Sequence, residues 1–195
     1  IDIRLIVDVS RTFGFENAAE NLSIAVELIS ESRSGRIIAV GLGGMEKEGD
    51  IDLYQPVFSE AAAHGIRCVA HAGEVASARN ISDAIVKLGA ERIGHGVSAV
   101  FDDEIRDMLV QQQVPIEVCI SSNIQTGKYF SEYENHPVRQ FFTEGLNISI
   151  NSDDPFLFDT TITDEYKILY EKLGFSIPEI MSILSKSIDS CFVPK

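Results

Sequence analysis

The chain has 195 residues, 45% of them hydrophobic and 24% charged, so it can bury one sizeable core and is globular rather than disordered. Its formal net charge is -14 and no Lys/Arg cluster offers phosphates a landing site, which excludes nucleic acid as a partner. No apolar run approaches the ~20 residues of a membrane span. Cys68, Cys119 and Cys191, odd in number and widely spaced, suit free thiols in a reducing, cytoplasmic compartment.

Taken in chain order, short β-branched runs predict strands at Arg4 to Val9, Arg36 to Leu42, Ile66 to His71, Arg92 to His95, Pro115 to Ser121 and Leu146 to Asn151. Between them, helical spacing of apolar residues predicts helices at Glu16 to Ser32, Leu53 to His64, Ala76 to Leu88, Asp103 to Gln112 and Pro137 to Glu144. Thr163 to Leu173 and Ile177 to Ser190 close the chain as two more helices. Continuous apolar strands alternating with helices make a parallel sheet covered by helices, here one domain over residues 1–195. Six strands are two short of a complete (β/α)8 barrel of ~250 residues. The chain opens in the strand-like Ile1-Asp2-Ile3-Arg4-Leu5 without Met, so it is expected to be part of something longer.

The polar residues of interest gather where the strands end: Glu46, His71 with Glu74, His95, and Asp153 with Asp154. A barrel builds its active site from several strand ends, whereas an open doubly wound sheet concentrates it at one switch point, so the barrel ranks first. His71-Ala72-Gly73-Glu74 puts an imidazole and a carboxylate at one strand end. The intervening Gly lets the backbone turn so that both can face one cavity.

The series Gly44-Met45-Glu46, His71-Ala72-Gly73-Glu74, Arg92-Ile93-Gly94-His95-Gly96, Ser121-Ser122-Asn123-Ile124-Gln125-Thr126-Gly127 and Ser152-Asp153-Asp154-Pro155 resembles the motif series of the adenosine deaminase family, in order and spacing. The resemblance covers essentially the whole chain. It implies a (β/α)8 barrel of the metal-dependent hydrolase type with one catalytic Zn2+, hydrolysing the 6-amino group of adenosine or a related purine to the 6-oxo product and ammonia. The family's His-x-His pair on its first strand has no counterpart among His64, His71, His95 and His136. The resemblance places Arg4 to Val9 on the third barrel strand, so the first two strand-helix units, and with them two further His ligands, are expected outside this chain.

His71 suits zinc as a neutral imidazole, against the alternative of a hydrogen-bonded core histidine. By resemblance Asp153 is the second zinc ligand, and Asp154 hydrogen-bonds the purine ring and helps orient the attacking water. Without the resemblance, Asp-Pro is merely a turn signal. Glu74 is the candidate proton donor to ring N1, against the alternative of a helix-start acid. His95 resembles the histidine that holds or deprotonates the zinc-bound water. Gly44 resembles a backbone contact to purine N3. The Gly41 to Gly44 run lacks the Lys-Ser/Thr of a phosphate loop. His64 is expected to cap a helix end, and His136 receives no chemistry.

Three readings therefore stand: a zinc purine deaminase acting on a small-molecule substrate, adenosine first and adenine second; another metal-dependent hydrolase on the same barrel; and a noncatalytic relative or inactive fragment.

Overall fold

The computed structural model describes residues 3–31, 35–47 and 49–193. Six strands, β1 (Leu5–Ser10), β2 (Ile37–Gly43), β3 (Arg67–Ala72), β4 (Arg92–His95), β5 (Ile116–Val118) and β6 (Ile148–Ile150), pair in parallel in strict sequence order. A doubly wound sheet must reverse its strand order at the switch point. This sheet never does, and that removes the open-sheet alternative.

The helices are α1 (Gly14–Glu31), α2 (Ile51–Ala63), α3 (Ala78–Leu88), α4 (Asp103–Gln112), α5 (Ile120–Thr126), α6 (Val138–Glu144), α7 (Ile162–Glu171) and α8 (Ile177–Asp189). Most elements fall within a few residues of expectation; Ser32, expected at the end of α1, lies outside the described residues. The exception is the run Pro115 to Ser121, which is strand only to Val118 before the chain turns into α5. Cys119 therefore caps a helix rather than lying within a strand, and Ser121, Ser122 and Asn123 are buried on that helix. Seven residues are too few for helical periodicity to declare itself, and Ser and Asn are poor helix formers.

The core lies between the sheet and its helices. Phe58 of α2, Ile81 of α3, Ile93 of β4, Ile116 of β5 and Phe141 of α6 are fully buried there. At the β1 edge, Ile3 and Leu5 keep more than half their surface in water, 60% and 55%. The sheet is not closed: β1 and β6 do not pair. Parallel pairing in sequence order brings all six C-terminal strand ends to one edge, and the polar residues collect there.

Candidate active site

His71 lies near the end of β3 and His95 ends β4, and parallel pairing sets His71 opposite Gly94. The His71 ring lies over Gly94. A Cβ built there would meet His71 Cδ2 at 2.6 Å, so any larger residue must push the imidazole aside. The two rings meet edge to face, with centroids 4.8 Å apart. His95 Nε2 lies 3.7 Å from Glu74 Oε2 and 3.9 Å from Asp153 Oδ2.

Two overlapping groups of potential metal donors result, His71 with Glu74 and His95, and His95 with Cys119 and Asp153; within each, the donor atoms lie within 4.8 Å of one another. His71 and Asp153 thus flank His95 rather than belonging to one tight set. Together with Gly94 and Cys119 they line a cavity of about 340 Å3. A larger cavity of about 620 Å3 opens at the opposite end of the strands, around Arg67, Arg92 and Phe192. Its arginines are paired with Glu91 and Glu117, and Lys186, which also lines it, donates to the Leu146 carbonyl at 3.4 Å.

Both site histidines are pushed below the ordinary imidazole range. For His71 the causes are burial and then His95, opposed by Asp153 and Glu74. For His95 burial outweighs the charges of Asp153 and Glu46. Neutral imidazole is the form that binds metal. Burial pushes the Glu74 carboxyl up, His71 pulls it back, and Asp153 and Glu46 raise it further. Burial likewise drives the Cys119 thiol well up, so it stays protonated and is a poor donor to a metal. Imidazole with carboxylate is a zinc-type donor set, and both types stand together here.

The loop carrying Glu74 is held by a residue whose role the sequence did not disclose. Glu46 is 4% exposed. Its Oε1 accepts from the Gly73 N–H at 2.6 Å, and its Oε2 accepts from Glu74, Val75 and Ala76 at 2.9, 3.0 and 3.1 Å. Asn80 Nδ2 adds a fifth donor at 3.2 Å. Gly73 makes the turn possible, since φ is +73° and a Cβ would lie 2.5 Å from Ser98 Oγ. Arg11, also missed, follows β1 and donates to the carbonyls of Leu42 at 3.2 Å and His71 at 2.8 Å while pairing with Asp50 at 2.9 Å. Three neighbouring strand ends are tied by one guanidinium.

The remaining expected residues are placed as follows. Asp153 has φ +55° and accepts from Ser122 Oγ at 2.7 Å. Asp154 is exposed and its Oδ1 accepts from the Leu157 N–H, so it is not drawn into the histidine cluster. Gly44 lies exposed at the mouth beyond β2 with φ +79°, and a Cβ would meet Ser10 Oγ at 2.5 Å. His64 is exposed and caps α2 through its backbone N–H. His136, given no chemistry from the sequence, is buried and joined through Asn123 to His95.

Replacing Glu46 with Gln leaves an N–H group facing donors and removes charge-assisted bonds. The variant should lose about 2 kcal/mol of stability in urea unfolding, and the amides of Gly73 to Ala76 should exchange faster with deuterium. Unchanged exchange at these four amides would contradict the role given to Glu46.

Burial pushes His136 down to about 3, below the ~6.5 of an unfolded histidine. Between these values the unfolded chain takes up a proton that the folded one refuses. Stability therefore rises with pH across this window and is complete above it, with a slope of at most about 1.4 kcal/mol per pH unit. His136→Gln should flatten the acid side of the stability curve by that slope. Parallel curves for the two proteins would show that His136 is not the group responsible.

Residues 1–195 match the family model described as Adenosine deaminase. The chain is 38% identical over 193 residues to an adenosine deaminase of Photorhabdus laumondii, covering 99% of this chain and 56% of that protein. It is 34% identical to an aminodeoxyfutalosine deaminase of Streptomyces avermitilis, covering 98% and 52%. The crystal structure of an adenine deaminase from Arthrobacter aurescens superimposes with a TM-score of 0.89 at 31% identity, covering 98% of this chain and 57% of that one. The chain thus spans about half the length of the relatives it matches, and its sequential parallel sheet is the corresponding part of their (β/α)8 barrel. With the motifs, the sheet order and the family model in agreement from end to end, the chain belongs to the adenosine deaminase family.

Proposed function

We propose that the protein containing this chain hydrolyses the exocyclic amino group of a 6-aminopurine, with adenosine as the first substrate to test and adenine the second. The observation that carries this reading is Glu74. A purine amidine becomes electrophilic at C6 only as its ring N1 takes up charge, so deamination needs an acid beside N1. Glu74 is a carboxyl raised by burial, 3.7 Å from His95, on a loop fixed by four hydrogen bonds to Glu46. A hydrolase acting on a simple amide or phosphoester can rely on the metal-bound water and its base.

The roles proposed combine this geometry with the family resemblance. Glu74 gives its proton to N1 as the oxygen of water adds to C6; of that water's two hydrogens one leaves with the amino group as ammonia and the other returns to Glu74, giving the 6-oxo purine. His95 faces the attacking oxygen from between Glu74 and Asp153. Asp154, at the mouth, contacts the purine ring, and the backbone of Gly44 lies at N3. His71 and Asp153 are the residues to hold Zn2+, with two more histidines from outside this chain. Bound there, the ion supplies Lewis acidity and lowers the pKa of a water toward ~7.

The full-length product, loaded with zinc, should convert adenosine to inosine, followed by ultraviolet absorbance. Adenine and aminodeoxyfutalosine, for which relatives are named, complete the panel. No loss of absorbance with any of the three would sink the reading. Glu74→Gln should lower turnover by ~10² or more while zinc content stays at the wild-type level. If Glu74 were only a helix-start acid, the substitution would instead cost roughly 1 kcal/mol of stability or less and leave turnover intact.

A further inference from the structure

A buried chain of hydrogen bonds runs from the backbone at α6 to His95. The Val138 N–H donates to His136 Nδ1 at 3.2 Å. An amide N–H can only donate, so Nδ1 carries a lone pair. His136 is 3% exposed and burial drives its imidazole down to about 3, so the ring is neutral and its one hydrogen sits on Nε2. That nitrogen lies 3.3 Å from Asn123 Oδ1, which accepts from it.

The orientation of the Asn123 amide follows from this polarity rather than from the shape of the group. With Oδ1 turned to His136, the Nδ2 hydrogen faces His95 Nδ1 at 3.1 Å. A donor at that distance demands a lone pair on His95 Nδ1. The one hydrogen of the neutral His95 ring is then on Nε2, the nitrogen that faces Glu74 Oε2 and Asp153 Oδ2.

We propose that Asn123 and His136 are positioning residues that fix the tautomer of His95, so that its neutral ring presents an Nε2–H donor to the space between Glu74 and Asp153. A nitrogen carrying hydrogen has no lone pair in the ring plane to give a metal. His95 is thereby kept out of the donor set despite lying within 4.8 Å of every other member, and the metal is left to His71 and Asp153. The same N–H can hold an attacking oxygen by a hydrogen bond. The opposite tautomer would present a lone pair to the site, compete as a ligand and lose that bond.

Only the kinetic consequence rests on the deaminase reading; the tautomer stands on donor and acceptor roles alone. The test uses the full-length protein labelled with 15N-histidine, metal-free and zinc-loaded. Long-range 1H–15N correlation spectra distinguish protonated from unprotonated ring nitrogens. His95 should show an unprotonated Nδ1 and a protonated Nε2. In Asn123→Asp the group facing Nδ1 becomes an acceptor, and a hydrogen should appear on Nδ1, with turnover of the active substrate lowered ~10-fold or more at little changed KM. Hydrogen on Nδ1 in the wild type, or an unprotonated Nδ1 persisting in Asn123→Asp, would overturn the proposal. Should Asn123→Asp fail to fold, the wild-type spectrum decides alone. A protein inactive on every 6-aminopurine would end the deaminase reading and leave the nitrogen shifts to judge the tautomer.

Discussion

The Glu46 carboxylate, buried beneath the turn between β3 and α3, accepts from the amides of Gly73, Glu74, Val75 and Ala76. Four consecutive N–H groups pointing inward would each be costly to leave unpaired away from water. One charge satisfies all four and, through them, fixes where Glu74 begins its side chain. Arg11 does the complementary work with the opposite sign, since its guanidinium gathers the carbonyls of Leu42 and His71 at the ends of β2 and β3. Neither residue touches the cavity chemistry itself. Both determine whether a carboxyl and an imidazole from one strand end meet the imidazole of the next.

Backbone strain falls in the same place. Among the described residues four that are not glycine have positive φ, and two of them are His95 at +64° and Asp153 at +55°. Such conformations cost of order 1 kcal/mol or more each and persist only where the surroundings over-determine them. For Asp153 the surroundings include the Ser122 hydroxyl on its Oδ2; for His95 they include the Asn123 amide on Nδ1. Both of these partners lie on α5. The short helix that interrupts the strand pattern is therefore what holds the two strained side chains facing each other.

This division explains how much could be read from the sequence. Strands and most helices were legible because their apolar spacing is a local property, and the order of the polar strand ends gave His71, Glu74, His95 and Asp153. Glu46 stood out as a polar strand end, but its partners lie 27 to 30 residues away along the chain, and no local signal marks a carboxylate as an acceptor of four amides. Arg11 looked like any charged residue after a strand. Asn123 and His136 were visible as Ser-Ser-Asn and His-Pro, yet their bearing on His95 depends on which atom donates to which, a property that exists only once α5 and α6 are packed against β4. The sequence located the side chains that meet at the site, and tertiary contacts supply their hydrogen-bond polarity.

Hydrogen bonding also sets apart the acids of the site. Glu46, Glu74 and Asp153 lie close together, and the effect of two of them on the third is to raise it. The Glu46 oxygens are taken up by the amides of Gly73 to Ala76 and by Asn80. Asp153 accepts from the Ser122 hydroxyl at 2.7 Å. Among the described residues the Glu74 carboxyl has one side-chain hydrogen-bond donor, Thr126 Oγ1 at 3.4 Å, and burial is the largest cause of its upward shift. The three acids thus differ in what faces them rather than in their own chemistry, and a carboxyl raised by burial keeps its proton to higher pH than one met by strong donors.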